Sequence, residues 1–418
     1  MNLPTRQFTL KFVFSRRMLV ALLMGFSGGL PLLLTMGVLQ AWMKEGGIDL
    51  TWIGMITLVQ IPYTWKFLWA PFLDRFIPPF LGRRRGWLLM SQIALMASIV
   101  GLGYSDPVKN TWMMIVAAVL VAFFSATQDI VIDAYRREDL PDEELGLGSS
   151  MYVYGYRLGM LLASGGGMIL ADFISFSQVY FIMALCLLPG VITTLLTPEP
   201  KVSVGIPRTM REAVVNPMVD YFSRNGAIWM LAFILMYKIG DTMASAITIP
   251  FYLEIGFSKT EIGTVVKFFG TAATLAGAAL GGLLLLKLGI HRGLWIFGIL
   301  QALSTAGFAI LARIGHNISL LSGVIAFENL SSGMGTAAFV AFMASITNKK
   351  FTATQYALLT SLMGLPRALA SSVTGFMAKN IGWEQFFIGC TLIAIPGMLL
   401  LLKFAHWNSR SIGEARAI

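Results

Sequence analysis

Asp74-Arg-Phe-Ile-Pro-Pro-Phe-Leu-Gly-Arg-Arg-Arg-Gly86 is the stretch that decides the fold of this 418-residue chain. It is a short basic loop between two apolar runs. Its core, Gly82-Arg-Arg-Arg-Gly86, is echoed 207 residues later by Gly289-Ile-His-Arg-Gly293. The pair Pro189-Gly190 recurs as Pro396-Gly397 at the same offset of 207. Two anchors at one offset mark an internal duplication. Outward from these anchors, apolar runs and their breakers predict spans near 18–42, 52–73, 87–104, 112–135, 149–170, 178–196, 227–251, 260–286, 293–312, 318–346, 354–378 and 384–404. A helix of roughly 20 residues crosses a ~30 Å hydrocarbon core. The expectation is an all-α integral membrane protein of about twelve transmembrane helices. Residues 1–196 and 227–404 form six-helix halves, 197–226 a cytoplasmic linker with Pro198, Pro200, Pro207 and Pro217, and 405–418 a cytoplasmic tail.

Composition excludes a water-soluble protein. The chain is 56% hydrophobic and 12% charged, with mean hydropathy +0.73, whereas soluble domains carry roughly 25% charged residues. A net charge of +10 could suggest nucleic acid, but the basic residues sit in short loops and not on one polar face. The partner surface is therefore a phospholipid bilayer, with no nucleic acid, and the chain reads as a monomer. With the N-terminus inside, 21 of the 31 Lys and Arg fall in cytoplasmic segments, five outside (Lys44, Lys109, Lys259, Arg313, Lys379) and five within spans. That bias places both termini in the cytoplasm.

Arg6, Lys11, Arg16 and Arg17 precede a run from Met18 to Trp42 that exceeds a signal-peptide core, so it reads as an uncleaved first span with topology charge, not a twin-arginine signal. Cys186 and Cys390 lie within apolar runs and offer neither a disulfide framework nor a thiolate metal site. His291, His316 and His406 are scattered over both sides, and no loop gathers the set that a polytopic membrane enzyme needs. No cofactor is expected beyond protons as coupling ion.

Ionisable side chains inside spans each cost roughly 2.5–3.5 kcal/mol on insertion scales and so need a partner or a function. Span 4 holds Gln128, Asp129 and Asp133; acids four residues apart share a helix face, about 6 Å apart along the axis. Such a pair favours sharing a proton, which proton coupling requires. Asp129 is read as facing the transport path, with a static bridge to Arg157 in span 5 as the alternative. Span 7 carries Lys238 and Asp241, and span 10 carries Glu328 and Asn329 followed by small residues. Lys66, Lys267 and Arg367 are further cations within spans 2, 8 and 11. Together the cations favour an anionic substrate over a cationic drug. Tyr152, Tyr154 and Tyr156 in span 5, and Trp65 and Trp69 in span 2, read chiefly as packing or interface aromatics. The glycines at 155, 159, 165–167 and 281–282 read as helix contacts.

A duplicated six-helix unit with a basic loop between its second and third helices resembles the major facilitator superfamily. The loop motif Asp74-Arg75 with Gly82-Arg83-Arg84 matches the family's conformational-gating loop, with Ile77-Pro-Pro-Phe-Leu81 as extra length. In that fold spans 1, 4, 7 and 10 line the cavity. The resemblance thus makes Asp129 and Asp133 proton-coupling candidates, and Gln128, Arg157, Lys66, Lys238, Asp241, Glu328 and Asn329 substrate-binding candidates. Leu39-Gln-Ala-Trp-Met43, Lys66-Phe-Leu-Trp-Ala-Pro71, Ser125-Ala-Thr-Gln-Asp-Ile-Val-Ile-Asp-Ala134, Gly155-Tyr-Arg-Leu-Gly-Met160, Tyr237-Lys-Ile-Gly-Asp241 and Phe327-Glu-Asn-Leu330 are similar to the muropeptide permease (AmpG) family of Gram-negative bacteria. That resemblance implies proton-coupled import, across the inner membrane, of N-acetylglucosaminyl-1,6-anhydro-N-acetylmuramyl peptides. The transport feeds peptidoglycan recycling and influences β-lactamase induction. The rivals are a major facilitator carrying another anion such as acetyl-coenzyme A, an organic-anion exporter, a membrane enzyme, and a receptor on a transporter scaffold.

Overall fold

Inside a bilayer each segment must satisfy its own backbone, so apolar runs of this length fold as helices. Regular structure among the described residues is all helical. The computed structural model describes residues 15–48, 52, 56–200, 207, 209–258, 261–363 and 374–404. Arg6, Lys11, Lys201, Arg208, Lys259, Arg367, His406 and the tail 405–418 lie outside them.

Seven stretches among the described residues are long and apolar enough to cross a membrane: Arg16–Glu45, Arg83–Tyr104, Thr111–Asp139, Phe176–Leu196, Ala227–Glu254, Ile262–Ile314 and Trp383–Lys403. Ile262–Ile314 supplies two spans, 8 and 9, because Gly289 interrupts it with φ 74°. The remaining spans are 2 (56–75), 5 (145–171), 10 (Ile318–Ser345) and 11, which begins as Thr352–Leu362. The architecture is thus the twelve-helix bundle of two six-helix halves expected from the repeat.

Structure and sequence differ in how continuous the spans are. Span 2 is a chain of short helices, Ile56–Gln60, Ile61–Trp65, Lys66–Leu68 and Ala70–Arg75. Pro62 and Pro71 sit in the first turn of two of them, where a missing N–H is tolerated. Span 7 divides into Ala227–Met236, Ile239–Ala246 and Thr248–Glu254. Lys66 and Lys238 both lie at such breaks. The segment 197–226 contains a helix the prolines concealed, Met210–Phe222, capped by Thr209, whose hydroxyl accepts from the Glu212 N–H at 3.1 Å. Lys267 is corrected from a buried to an exposed cation, on the first turns of span 8.

Small residues bring backbones together. Side chains on Gly25 and Gly29 of span 1 would run into the carbonyls of Tyr152 and Tyr156, and side chains on Gly155 and Gly159 into those of Leu22 and Phe26. Gly277 and Gly333 join spans 8 and 10 in the same way. The repeat is visible in the backbone: Gly82 and Gly289 both have positive φ, 89° and 74°, one residue before a helix resumes. Gly190 of span 6 presses on Ser27 of span 1, and Gly397 of span 12 on Met236 of span 7.

Candidate functional site

The loop that decided the fold closes one end of the bundle. Asp74, in the last turn of span 2, and Arg84, in the first turn of span 3, pair at 2.7 Å with both side chains fully buried. Arg84 also binds Glu138 at 2.5 Å, and Arg83 binds Glu138 at 3.1 Å. Two acids and two bases thus form a neutral buried network, the condition under which buried charges are tolerated. Asp74 also reaches the other half. Its carboxylate accepts from the backbone N–H of Ala353 at 3.3 Å, from that of Thr354 at 2.8 Å and from the Thr354 hydroxyl at 2.7 Å. These are free N–H groups at the start of span 11, where an anion is favoured. Arg75 takes no part in the network and lies over the Phe76 ring.

Gly82 shapes the loop. Its φ of 89° lies in the region that glycine alone adopts freely, and a Cβ there would meet the Glu199 side chain at 2.8 Å. Glu199 needs that space: its carboxylate accepts from the N–H groups of Arg84 at 2.7 Å and Arg85 at 3.0 Å, capping span 3.

Further contacts join the halves at this end. The Ser150 hydroxyl donates to the Ala278 carbonyl, Gly282 packs on Ser150, and Gly146 packs on Leu285. Arg136 pairs with Asp133 at 3.0 Å, lies over the Tyr152 ring and donates to the Tyr356 hydroxyl at 2.9 Å across the seam. The helix Met210–Phe222 adds a latch. Asp220 accepts from Arg224, from Asn348 at 2.9 Å and from Gln355 at 2.8 Å, while Gln355 also donates to the Pro217 carbonyl at 3.0 Å. Desolvation pushes the Asp220 carboxyl up, but the Gln355 hydrogen bond, the Arg224 charge and the Asn348 hydrogen bond outweigh it and hold it below the usual carboxylate range.

Midway along the bundle, the breaks and the buried acids meet. Asp129 is 6% exposed and forms no ion pair among the described residues; its Oδ1 has no hydrogen-bond partner there. A Cβ on Gly28 would lie 3.0 Å from that oxygen, so Asp129 is turned toward span 1. Lys66 stands within electrostatic range of both Asp129 and Asp133. Asp133, the second proton-coupling candidate on this helix face, is paired with Arg136. Gln128 accepts from Ser27 at 3.5 Å, and its amide nitrogen has no hydrogen-bond partner among the described residues.

In the other half, Lys238 lies 3.9 Å from Asp241 and donates to Thr336 at 2.8 Å. Glu328 accepts from the Ser304 hydroxyl at 2.5 Å and lies within electrostatic range of Asp241 and Lys238. Arg157 faces this group from span 5, within electrostatic range of Lys238. Asn329, a substrate-binding candidate, is engaged in helix contacts. Its oxygen accepts from Thr274 at 2.8 Å and its nitrogen donates to the Ile325 carbonyl at 3.0 Å. Trp69 donates to Thr127 at 3.0 Å while Trp65 is exposed, in keeping with packing and interface roles.

Sequence reasoning missed Glu138, Glu199, Asp220 and Arg224. The available signal was charge balance: a loop with Arg83 and Arg84 buried beside one aspartate needs a second acid, and Glu138 lies in the last turn of span 4.

Comparison with known proteins agrees with this geometry. A family model described as Major Facilitator Superfamily matches residues 17–370 and again 239–414. The anhydromuropeptide permease of Escherichia coli (strain K12) is 44% identical over 388 residues, 92% of this chain and 79% of that protein. A putative transporter AmpG 1 of Rickettsia bellii is 32% identical over 407 residues, 94% of this chain and 99% of that one. Among solved structures, the proton:xylose symporter XylE bound to 6-bromo-6-deoxy-D-glucose matches with TM-score 0.71 at 13% identity, covering 97% of this chain and 99% of that one. FucP in the outward conformation matches with TM-score 0.70 at 10% identity, covering 94% and 99%. At such identities the structural likeness is one of fold.

Proposed function

The chain belongs to the major facilitator superfamily as a transporter homologous to anhydromuropeptide permease, and from that premise we propose that it imports anhydro-muropeptides with protons across the bacterial inner membrane. The 44% identity over 92% of the chain carries the substrate assignment. Chemistry supports it: a disaccharide with peptide carboxylates suits a passage holding Lys66, Lys238 and Arg157 at mid-depth. The charge bias of the loops puts both termini, and the end sealed by Asp74 and Arg84, on the cytoplasmic side. The carrier as described is then closed to the cytoplasm and positioned to load from the periplasm.

In the proposed cycle Asp129 takes up a proton from the periplasm, substrate binds between the halves, and rocking separates Asp74 from the start of span 11. Substrate and proton leave to the cytoplasm, and the seam reforms. Moving one charge through the membrane potential supplies about 2.3 kcal/mol per 100 mV. The imported sugars and peptides would feed peptidoglycan recycling, the route by which import would influence β-lactamase induction. Residues 1–196 and 227–404 act as the rocking units, joined by 197–226, and the protein works as a monomer without a bound cofactor.

The test is uptake of labelled anhydro-disaccharide peptide into proteoliposomes with and without an inward proton gradient. Gradient-driven accumulation that a protonophore collapses is expected; folded protein that takes up none would redirect the reading to another anionic solute. Asp129→Asn is expected to abolish accumulation while leaving exchange across the membrane. Full accumulation by that variant would remove Asp129 from the coupling step.

A further inference from the structure

At the end of the bundle sealed by Asp74 and Arg84, the two halves also border a cavity of about 500 Å³. The first half lines it with Arg137, from the last turn of span 4. From the other side come Arg224 and Asn225, in the turn before span 7, and Lys349, in the loop between spans 10 and 11. No lining residue is acidic. Two carboxylates stand behind the lining: Asp142 pairs with Arg137 at 2.7 Å, and Asp220 pairs with Arg224. Lys349 is half-buried and has no ion pair among the described residues. Three cations thus meet two acids, and the Asp142 side chain is 74% exposed, where water screens its charge. Residues 201–206, 208 and 405–418, outside those described, hold Lys201, Arg208, Arg410 and Arg416 against the one acid Glu414. Arg137 itself is under-satisfied. Its side chain is 7% exposed, yet among the described residues Asp142 is its one hydrogen-bond partner, and its buried Nε has none.

From this arrangement we infer that the cavity binds a phosphate-bearing anion, which bridges the halves and holds this end of the carrier shut. The lining hydroxyls of Ser223, Ser345 and Thr347 already donate to the carbonyls of Asp220, Phe342 and Met343. The donors left over are the remaining Arg137 N–H groups, the Lys349 ammonium and the Asn225 amide. A guanidinium fork and an ammonium on opposite walls match the spread of oxygens on a phosphate ester. The volume suits a small phosphorylated molecule or a lipid headgroup. Neither arginine spans the gap unaided. Arg137 bonds within the first half, and Arg224 bonds to Asp220 and the Ile346 carbonyl on the other side. An anion held from both walls therefore adds a cross-seam connection beside the Asp220 latch, and that connection is lost when the halves part. A ligand that prefers the closed form shifts the equilibrium toward it. In the orientation proposed above this end faces the cytoplasm, so the anion would act there as a brake on import.

The test needs neither muropeptide nor a proton gradient, so its outcome is independent of the transport reading. Full-length protein carrying Ala353→Cys, at a fully buried seam position, reports opening through its alkylation rate. Inorganic pyrophosphate is the soluble probe, with chloride at equal ionic strength as the control for screening. At about ten times its half-effective concentration, pyrophosphate should slow alkylation about tenfold. Lys349→Gln, a change at a half-buried loop position, should weaken that protection, and Arg137→Gln combined with it should abolish the protection. The lipid source is tested by reconstitution into vesicles of phosphatidylcholine alone or with phosphatidylglycerol. Protection by phosphatidylglycerol and not by pyrophosphate, lost in Lys349→Gln, supports the site with a headgroup as its ligand. Protection by pyrophosphate in either vesicle, lost in the same variant, supports it with a soluble phosphate compound. Protection by neither probe, or equal protection with and without Lys349→Gln, would overturn the inference.

Discussion

Asp74 serves two masters: it neutralises Arg84 within its own half and accepts three hydrogen bonds from the opposite one. Asp74→Asn keeps the size but removes the charge, and breaking a buried ion pair from one side costs about 3–5 kcal/mol. The Arg84 pair lies within one half and weakens in both forms, but the three hydrogen bonds to Ala353 and Thr354 exist only when the halves meet, and hydrogen bonds to a charged group contribute about 1.5–3 kcal/mol each, so the loss of that charge falls selectively on the closed form. A thiol introduced by Ala353→Cys, at a fully buried seam position, should then alkylate at least about tenfold faster in the Asp74→Asn background; an unchanged rate would mean the seam closes without this charge. Gly82 answers to a different constraint. Gly82→Ala forces a left-handed backbone on a residue with a Cβ and crowds Glu199, so stability should fall by about 1–2 kcal/mol, read as a lower Tm in detergent. At this scale the sequence announced the expensive residues, since a charge in an apolar run is visible without a structure. Their partners were not visible: Glu138 lies beyond the run 112–135 that marked span 4, and Glu199 falls within the linker 197–226.

Elements tell a similar story. Apolar run length announced nearly every span, because the bilayer sets a length that any crossing helix must meet. The interruptions at Lys66 and Lys238 were hidden, as proline marks only part of them and the remainder follows from what packs alongside. The helix 210–222 was hidden for the opposite reason: Pro217 suggested a breaker, yet its carbonyl is used by Gln355. Gly155 and Gly159 of span 5 were legible as helix contacts, but their partners Leu22 and Phe26 of span 1, and the matching Gly25 and Gly29, were not. That distinction predicts an asymmetry. Gly155→Val should prevent folded protein from accumulating in the membrane, because the Leu22 carbonyl occupies the space, whereas Gly101→Val, with open space beside it, should leave expression and monodispersity near wild type. Equal behaviour of the two variants in size-exclusion chromatography would contradict the packing described.

For the whole molecule, the question is which groups make the carrier respond to pH. The Asp220 latch is not one of them. Its folded carboxyl lies below the ordinary range, so its stabilising effect is complete above the unfolded value of about 3.9 and fades only as pH falls through the lower folded value. Asp220→Asn should accordingly weaken closure by the same factor throughout about pH 5 to 8, leaving the shape of the uptake–pH curve unchanged. A shifted curve would show that the latch titrates during transport. Dependence on pH should arise instead from acids inside the bundle.

The single interruption at Gly289 has a consequence for how the protein is made. With one non-helical residue between two long arms, spans 8 and 9 have no slack in which to be delivered to the membrane one at a time. They are expected to enter together as a hairpin during synthesis, its turn, in the orientation proposed above, on the side of the ribosome. Lengthening that turn would uncouple their insertion before it disturbed any step of transport.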